Sequence, residues 1–82
     1  MKHRYKQILY RCRHRGMKET DYLLGKFAEK HLIFLQDNLL SNMESLLDET
    51  DIEIYNWIVG NARAPDTLIK IVNKIRMFHG LS

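Results

Sequence analysis

Cysteine, proline and glycine are scarce in this sequence: 82 residues contain one cysteine, one proline and four glycines. The lone cysteine, Cys12, cannot close an internal disulfide, so a reducing compartment is expected, with the cytoplasm as the default location. Long apolar runs are missing as well. Stretches such as Leu32-Ile33-Phe34-Leu35 fall far short of the roughly 20 residues that span a bilayer, so no membrane insertion is expected. Met1-Lys2-His3-Arg4 does not lead into the apolar stretch of a secretory signal. The glycines are scattered instead of clustered behind a strand, which excludes a Gly-rich phosphate loop. Cys12 and His14 lie two apart and do not face one another on a helix, and nothing supplies the other two ligands of a structural zinc site. His3 and His79 lie near the chain ends, with no acidic or nucleophilic partner identified by the sequence. The chain is therefore not expected to be an enzyme, nor to hold a metal.

Acidic residues are also absent from the first eighteen positions. Up to Lys18 there are seven bases (Lys2, Arg4, Lys6, Arg11, Arg13, Arg15, Lys18) and no acid; from Glu19 onward ten acids face six bases. The net charge of +3 conceals this split. A basic segment on an acidic body can bind nucleic acid, an anionic surface or an acidic protein groove, or it can simply be a solvated helix face.

What is present is helical periodicity. Hydrophobic residues at 45% and charged residues at 28% describe an ordinary globular domain, and no linker or repeat divides the chain. A domain this short buries about 60–65% of its unfolded surface, leaving little core for an enclosed site. A first helix is expected over Arg4–Arg13, with Tyr5, Ile8, Leu9 and Cys12 as its buried stripe. Gly16 supplies the turn. A second runs from about Met17 to His31, grouping Leu23, Leu24, Phe27, Ala28 and His31 on one side, with Gly25 allowing close packing. A third spans Asp37–Leu47 and buries Leu39, Leu40, Met43, Leu46 and Leu47. Thr50 and Glu53 form a capping box for a short fourth helix that ends near Val59 or Gly60. Tyr55 and Ile58 are expected inside, with Trp57 left open. Pro65-Asp66 opens a fifth, carrying Leu68, Ile71, Val72, Ile75 and Phe78. The expected fold is all-α: a single small five-helix bundle over residues 1–82.

The junction of the first two helices carries the pattern Arg15-Gly16-Met17-Lys18-Glu19. Physically, Arg15 at a helix C-terminus and Glu19 in a helix first turn each suit the helix dipole, which accounts for both charges separately. The functional reading is an exposed knuckle presenting a guanidinium fork beside a carboxylate. Tyr22, one turn beyond Glu19 on the face away from Leu24 and Ala28, is either an interface anchor or an incidental surface aromatic.

This pattern resembles the RGxxE signature of the SdhE family of succinate dehydrogenase assembly, or flavinylation, factors. The likeness continues through Asp21-Tyr22-Leu23-Leu24-Gly25-Lys26-Phe27-Ala28, similar to a D-x-L-L-G-x-F-A stretch. Leu35, Leu40, Met43 and Leu46-Leu47 follow the family's third helix with methionine for an aromatic, and Asp51-Ile52-Glu53-Ile54-Tyr55-Asn56-Trp57-Ile58 resembles D-x-x-L-[YF]-x-W-L. Gln36 stands where a Ser or Thr cap is usual, and His14 where a second arginine often precedes the glycine pair. The resemblance implies an assembly factor that binds the flavoprotein subunit of succinate dehydrogenase and promotes covalent attachment of FAD to a histidine of that partner. Fumarate reductase is a possible second client. The FAD is the partner's, so the factor itself holds no cofactor stably. Arg15, Gly16 and Glu19, with Tyr22 beside them, are the expected partner-binding residues.

Two alternatives compete. A basic-helix nucleic-acid-binding module predicts affinity that falls steeply with salt, but no nucleic-acid motif is present and the body is acidic. A flavin carrier would need a dinucleotide fingerprint, which is lacking.

Overall fold

The computed structural model describes residues 2–81, apart from the side chain of Lys2. Its elements are α1 (Lys2–Arg13), α2 (Lys18–His31), a 3₁₀ turn (Leu32–Phe34), α3 (Asp37–Leu47), α4 (Asp51–Val59) and α5 (Ile69–Phe78). No strand occurs among the described residues, and the all-α architecture matches the periodicity.

α1 and α2 pack along one another. They run antiparallel: the end of α1 lies against mid-α2 through Arg13 and Gly25, while Tyr5 and Leu9 share a groove with Leu32 and Ile33 beyond the end of α2. A Cβ at Gly25 would meet Arg13 Cγ at 3.4 Å, an ordinary contact, so the close packing anticipated there does not by itself demand glycine. α3 packs on α1 and α5, and α4 on α2 and α5. The core between them is filled by Ile8, Cys12, Leu24, Phe27, Leu40, Met43, Leu46, Ile54, Ile58, Ile71, Val72 and Ile75. Burying each larger aliphatic side chain contributes about 1.5–3 kcal/mol.

Local signals place most boundaries. Thr50 Oγ1 accepts the Glu53 N–H at 3.3 Å and donates to the Glu53 carboxylate at 3.0 Å, so the two capping residues do meet. Gly60, at φ +92°, ends α4, and the Asn56 carbonyl accepts the N–H groups of Gly60, Asn61 and Ala62. α3 begins at Asp37 although Gln36 makes no side-chain cap. A carboxylate in the first turn offsets that loss.

Several expectations shift. α5 starts at Ile69, later than Pro65-Asp66 predicts, because residues 65–68 close a single turn through Leu68 N–H to the Pro65 carbonyl. That turn drops Leu68 into the core. Met17 is extended and precedes α2. Thr20, a polar residue outside the apolar stripe, is fully buried and donates to the Met17 carbonyl at 3.4 Å. Leu23, Leu39 and Tyr55 are half-buried instead of enclosed. Trp57 is buried. His31 is exposed, yet its ring stacks on Phe27 at 5.6 Å and meets Phe78 edge-on at 5.1 Å.

Candidate functional site

The α1–α2 junction is built from helix ends. α1 stops at Arg13, α2 starts at Lys18, and Gly16 between them has φ +100°. A side chain at that angle is disfavoured by contact with its own backbone. Nothing lies within 4 Å of where a Gly16 Cβ would be, so the turn faces open space.

Arg15 is held on two sides. Its backbone N–H donates to Asp21 Oδ1 at 2.8 Å, tying the turn to the first turn of α2. Its side chain, expected at the surface, points inward instead and is only 12% exposed. Nη1 donates to the Leu47 carbonyl at 2.8 Å, Nη2 to the Glu49 carbonyl at 2.6 Å, and Nε to the Asp51 carboxylate. Leu47 ends α3 and Asp51 begins α4. Carbonyls at a helix end lack partners within the helix, and a cation is favoured there. One guanidinium therefore satisfies the end of α3 and pairs with the start of α4.

Glu19 and Tyr22 face outward on the next turns of α2. No side-chain hydrogen bond or ion pair of Glu19 occurs among the described residues. Tyr22 is 59% exposed, with its ring tilted 6.0 Å from that of His79. His79 is fixed in turn, its Nε2 lying 2.8 Å from the Leu23 carbonyl. Gly16, Glu19 and Tyr22 are each exposed, Glu19 and Tyr22 lying one helical turn apart, while the Arg15 side chain turns inward. Asp51 and Asp21, which hold Arg15, were not singled out by sequence reasoning. No periodicity links positions 15 and 51; the available signals were an acid directly after a helix cap and the aspartates that open two of the family-like stretches.

The basic start of the chain is mostly paired within the fold. Arg4 binds the Glu44 carboxylate at 2.7 Å and Ser41 at 3.1 Å, Arg11 binds Asp48 at 2.8 Å, and Arg13 binds Glu29 at 2.8 Å. The hydrogen bond from Arg4 holds the Glu44 carboxyl below its usual value, and that from Arg13 does the same for Glu29. Cys12 is fully buried, and burial pushes its thiol up to about 12, against the pull of Arg15, Arg11 and Arg13. Such a thiol is inert as a nucleophile. Among the described residues, no group of three His, Cys, Asp or Glu side chains is placed to hold a metal ion. Among the described residues, no helix is long and apolar enough to cross a membrane.

Known proteins resemble this chain along nearly its whole length. The sequence profile of the family described as flavinator of succinate dehydrogenase matches residues 6–79. The FAD assembly factor SdhE of Legionella pneumophila (strain Paris) is 38% identical over 70 residues, covering 85% of this chain and 87% of that protein. The mitochondrial succinate dehydrogenase assembly factor 2 of Dictyostelium discoideum is 36% identical over 74 residues, covering 90% of this chain and 52% of that one. Its counterpart in Meyerozyma guilliermondii is 46% identical over 55 residues, 67% of this chain and 41% of that one. The chain spans about half the length of these mitochondrial relatives or less, and most of the bacterial one. No solved structure matches it. With the signature at an exposed helix junction and the profile running from residue 6 to 79, the chain belongs to the flavinator of succinate dehydrogenase family.

Proposed function

We propose that this chain is an assembly factor that binds the flavoprotein subunit of succinate dehydrogenase and promotes covalent attachment of FAD to it, working in the cytoplasm. The observation that carries the reading is the exposure of the family signature at a helix junction: Gly16 and Glu19 are solvent-facing, as is Tyr22 one turn further on, and the Arg15 side chain is anchored inward. The similarity to a FAD assembly factor over 87% of that protein's length supports it.

The surface suits a docking role better than a catalytic one. Gly16 has no side chain and open space beyond it, which lets a partner's backbone approach closely. Glu19 offers an exposed carboxylate, and Tyr22 a rigid aromatic with a polar tip. The flavin and its acceptor histidine both belong to the partner, so the factor contributes by holding them in a productive arrangement. Orientation of that kind can contribute several kcal/mol without a catalytic side chain.

Co-purification with the flavoprotein subunit, scoring covalent flavin on the denatured subunit, tests the reading. Wild-type chain is expected to bind and raise covalent flavin. Gly16→Ala and Glu19→Gln, both folded by circular dichroism, are expected to lose most of that effect. If both variants behave as wild type, or if the wild type does not bind, the surface is only a helix junction.

A further inference from the structure

The exposed turn has no packing on its outer side. Nothing lies within 4 Å beyond Gly16, and glycine itself leaves the backbone free to adopt many angles. The position of this turn therefore depends on how it is gripped from within. Two carboxylates provide that grip, and both lie outside the five-residue signature. Asp21 accepts the Arg15 backbone N–H, and Asp51, 36 residues further along the chain, accepts Nε of the Arg15 side chain. The carbonyls of Leu47 and Glu49 complete the set.

We propose that Arg15 serves the docking surface as a positioning residue acting through Asp51, and that Asp51 is accordingly a further determinant of partner recognition. This rests on the reading that Gly16 and Glu19 meet the flavoprotein subunit. Two observations carry it. The Arg15 side chain is 12% exposed and donates three hydrogen bonds into the α3–α4 junction, so its fork is committed inside the fold. Those bonds also join the exit of α1 to the end of α3 and the start of α4, which fixes where Gly16 and Glu19 stand relative to the rest of the bundle. A lysine cannot replace this arrangement, because a single ammonium lacks the planar fork that reaches two carbonyls and a carboxylate together. Asparagine at position 51 keeps the size and removes the charge, which weakens a charge-assisted bond.

The test joins titration calorimetry against the flavoprotein subunit with ¹⁵N order parameters of Gly16 and Met17 in the free chain. Asp51→Asn and Arg15→Lys are each expected to lower those order parameters and to weaken binding about ten-fold. Combining them is expected to add little, since both break one link. Glu44→Gln removes an ion pair of similar kind near the start of α1 and is expected to change neither readout. Unchanged order parameters in Asp51→Asn overturn the grip, whatever the partner does. Lowered order parameters with wild-type affinity in Asp51→Asn, while Gly16→Ala loses binding, overturn the positioning role and leave the docking surface standing. If Gly16→Ala also binds as wild type, the docking surface itself fails and the positioning role falls with it.

Discussion

Gly16 and Gly60 both hold left-handed backbone, but for different local reasons. At Gly16 a Cβ meets nothing, so Gly16→Ala carries only the backbone penalty, about 1–2 kcal/mol. At Gly60 a Cβ would stand 3.0 Å from Arg76 Nη1, which is itself bound to the Ile58 carbonyl at 2.6 Å. Arg76 Nη2 also holds the Leu81 carbonyl, so the guanidinium cannot simply swing aside. Gly60→Ala is therefore expected to lower stability in urea denaturation by more than Gly16→Ala does. An equal loss at the two sites would mean that Arg76 moves freely. The need for turn glycines at both positions was legible from the sequence. The direction of the Arg15 side chain was not, because a helix-end arginine suits solvent and fold equally well. The choice was made by acceptors at Leu47, Glu49 and Asp51, which no local pattern connects to it.

At the scale of elements, the arginines of α1 are how that helix docks on its neighbours. Its buried stripe is narrow, with Ile8 and Cys12 enclosed and Tyr5 and Leu9 only partly covered. Arg4 and Arg11 then reach α3 through Glu44 and Asp48, and Arg13 reaches α2 through Glu29. Because Arg4 lowers the Glu44 value below 4.5, the folded state binds that proton less readily than the unfolded chain. The pair's contribution is present above about pH 4.5 and is lost as pH falls below it through the folded value. Glu44→Gln is expected to melt slightly lower than wild type at pH 7, with the difference shrinking as pH falls below about 4.5 and in high salt. A difference that does not shrink on acidification would point to packing instead of charge. Helix existence and the ends of α4 were legible because its Thr50 cap and its turn glycine act locally. The late start of α5 was not, since the turn at Pro65 is settled by burying Leu68.

For the whole molecule, the charge split now has a structural account. Arg4, Arg11, Arg13 and Arg15, four of the seven bases up to Lys18, are paired with acids of α2, α3, α4 and their junctions. Each exposed pair stabilises the fold little on its own. Each nevertheless keeps a carboxylate beside the cation that a phosphate would have to displace. The chain is therefore expected to bind a 20-base-pair duplex no more tightly than about 10⁻⁴ M at 0.15 M salt, with a shallow salt dependence. Fluorescence anisotropy across a salt series checks this. Micromolar binding with a steep slope would return the basic-helix module to the front.

The residue order by itself determined the helical class, the number of helices, most of the core and the location of the signature at a helix junction. Those features follow from interactions within a few residues: 3.6-residue periodicity, caps and turn glycines. Only the tertiary structure decided that Arg15 turns inward, that Thr20 is buried and that Trp57 belongs to the core. Each of those outcomes depends on which acceptor or apolar surface a distant segment delivers. A side chain's local geometry permits several such directions, and long-range contact selects among them.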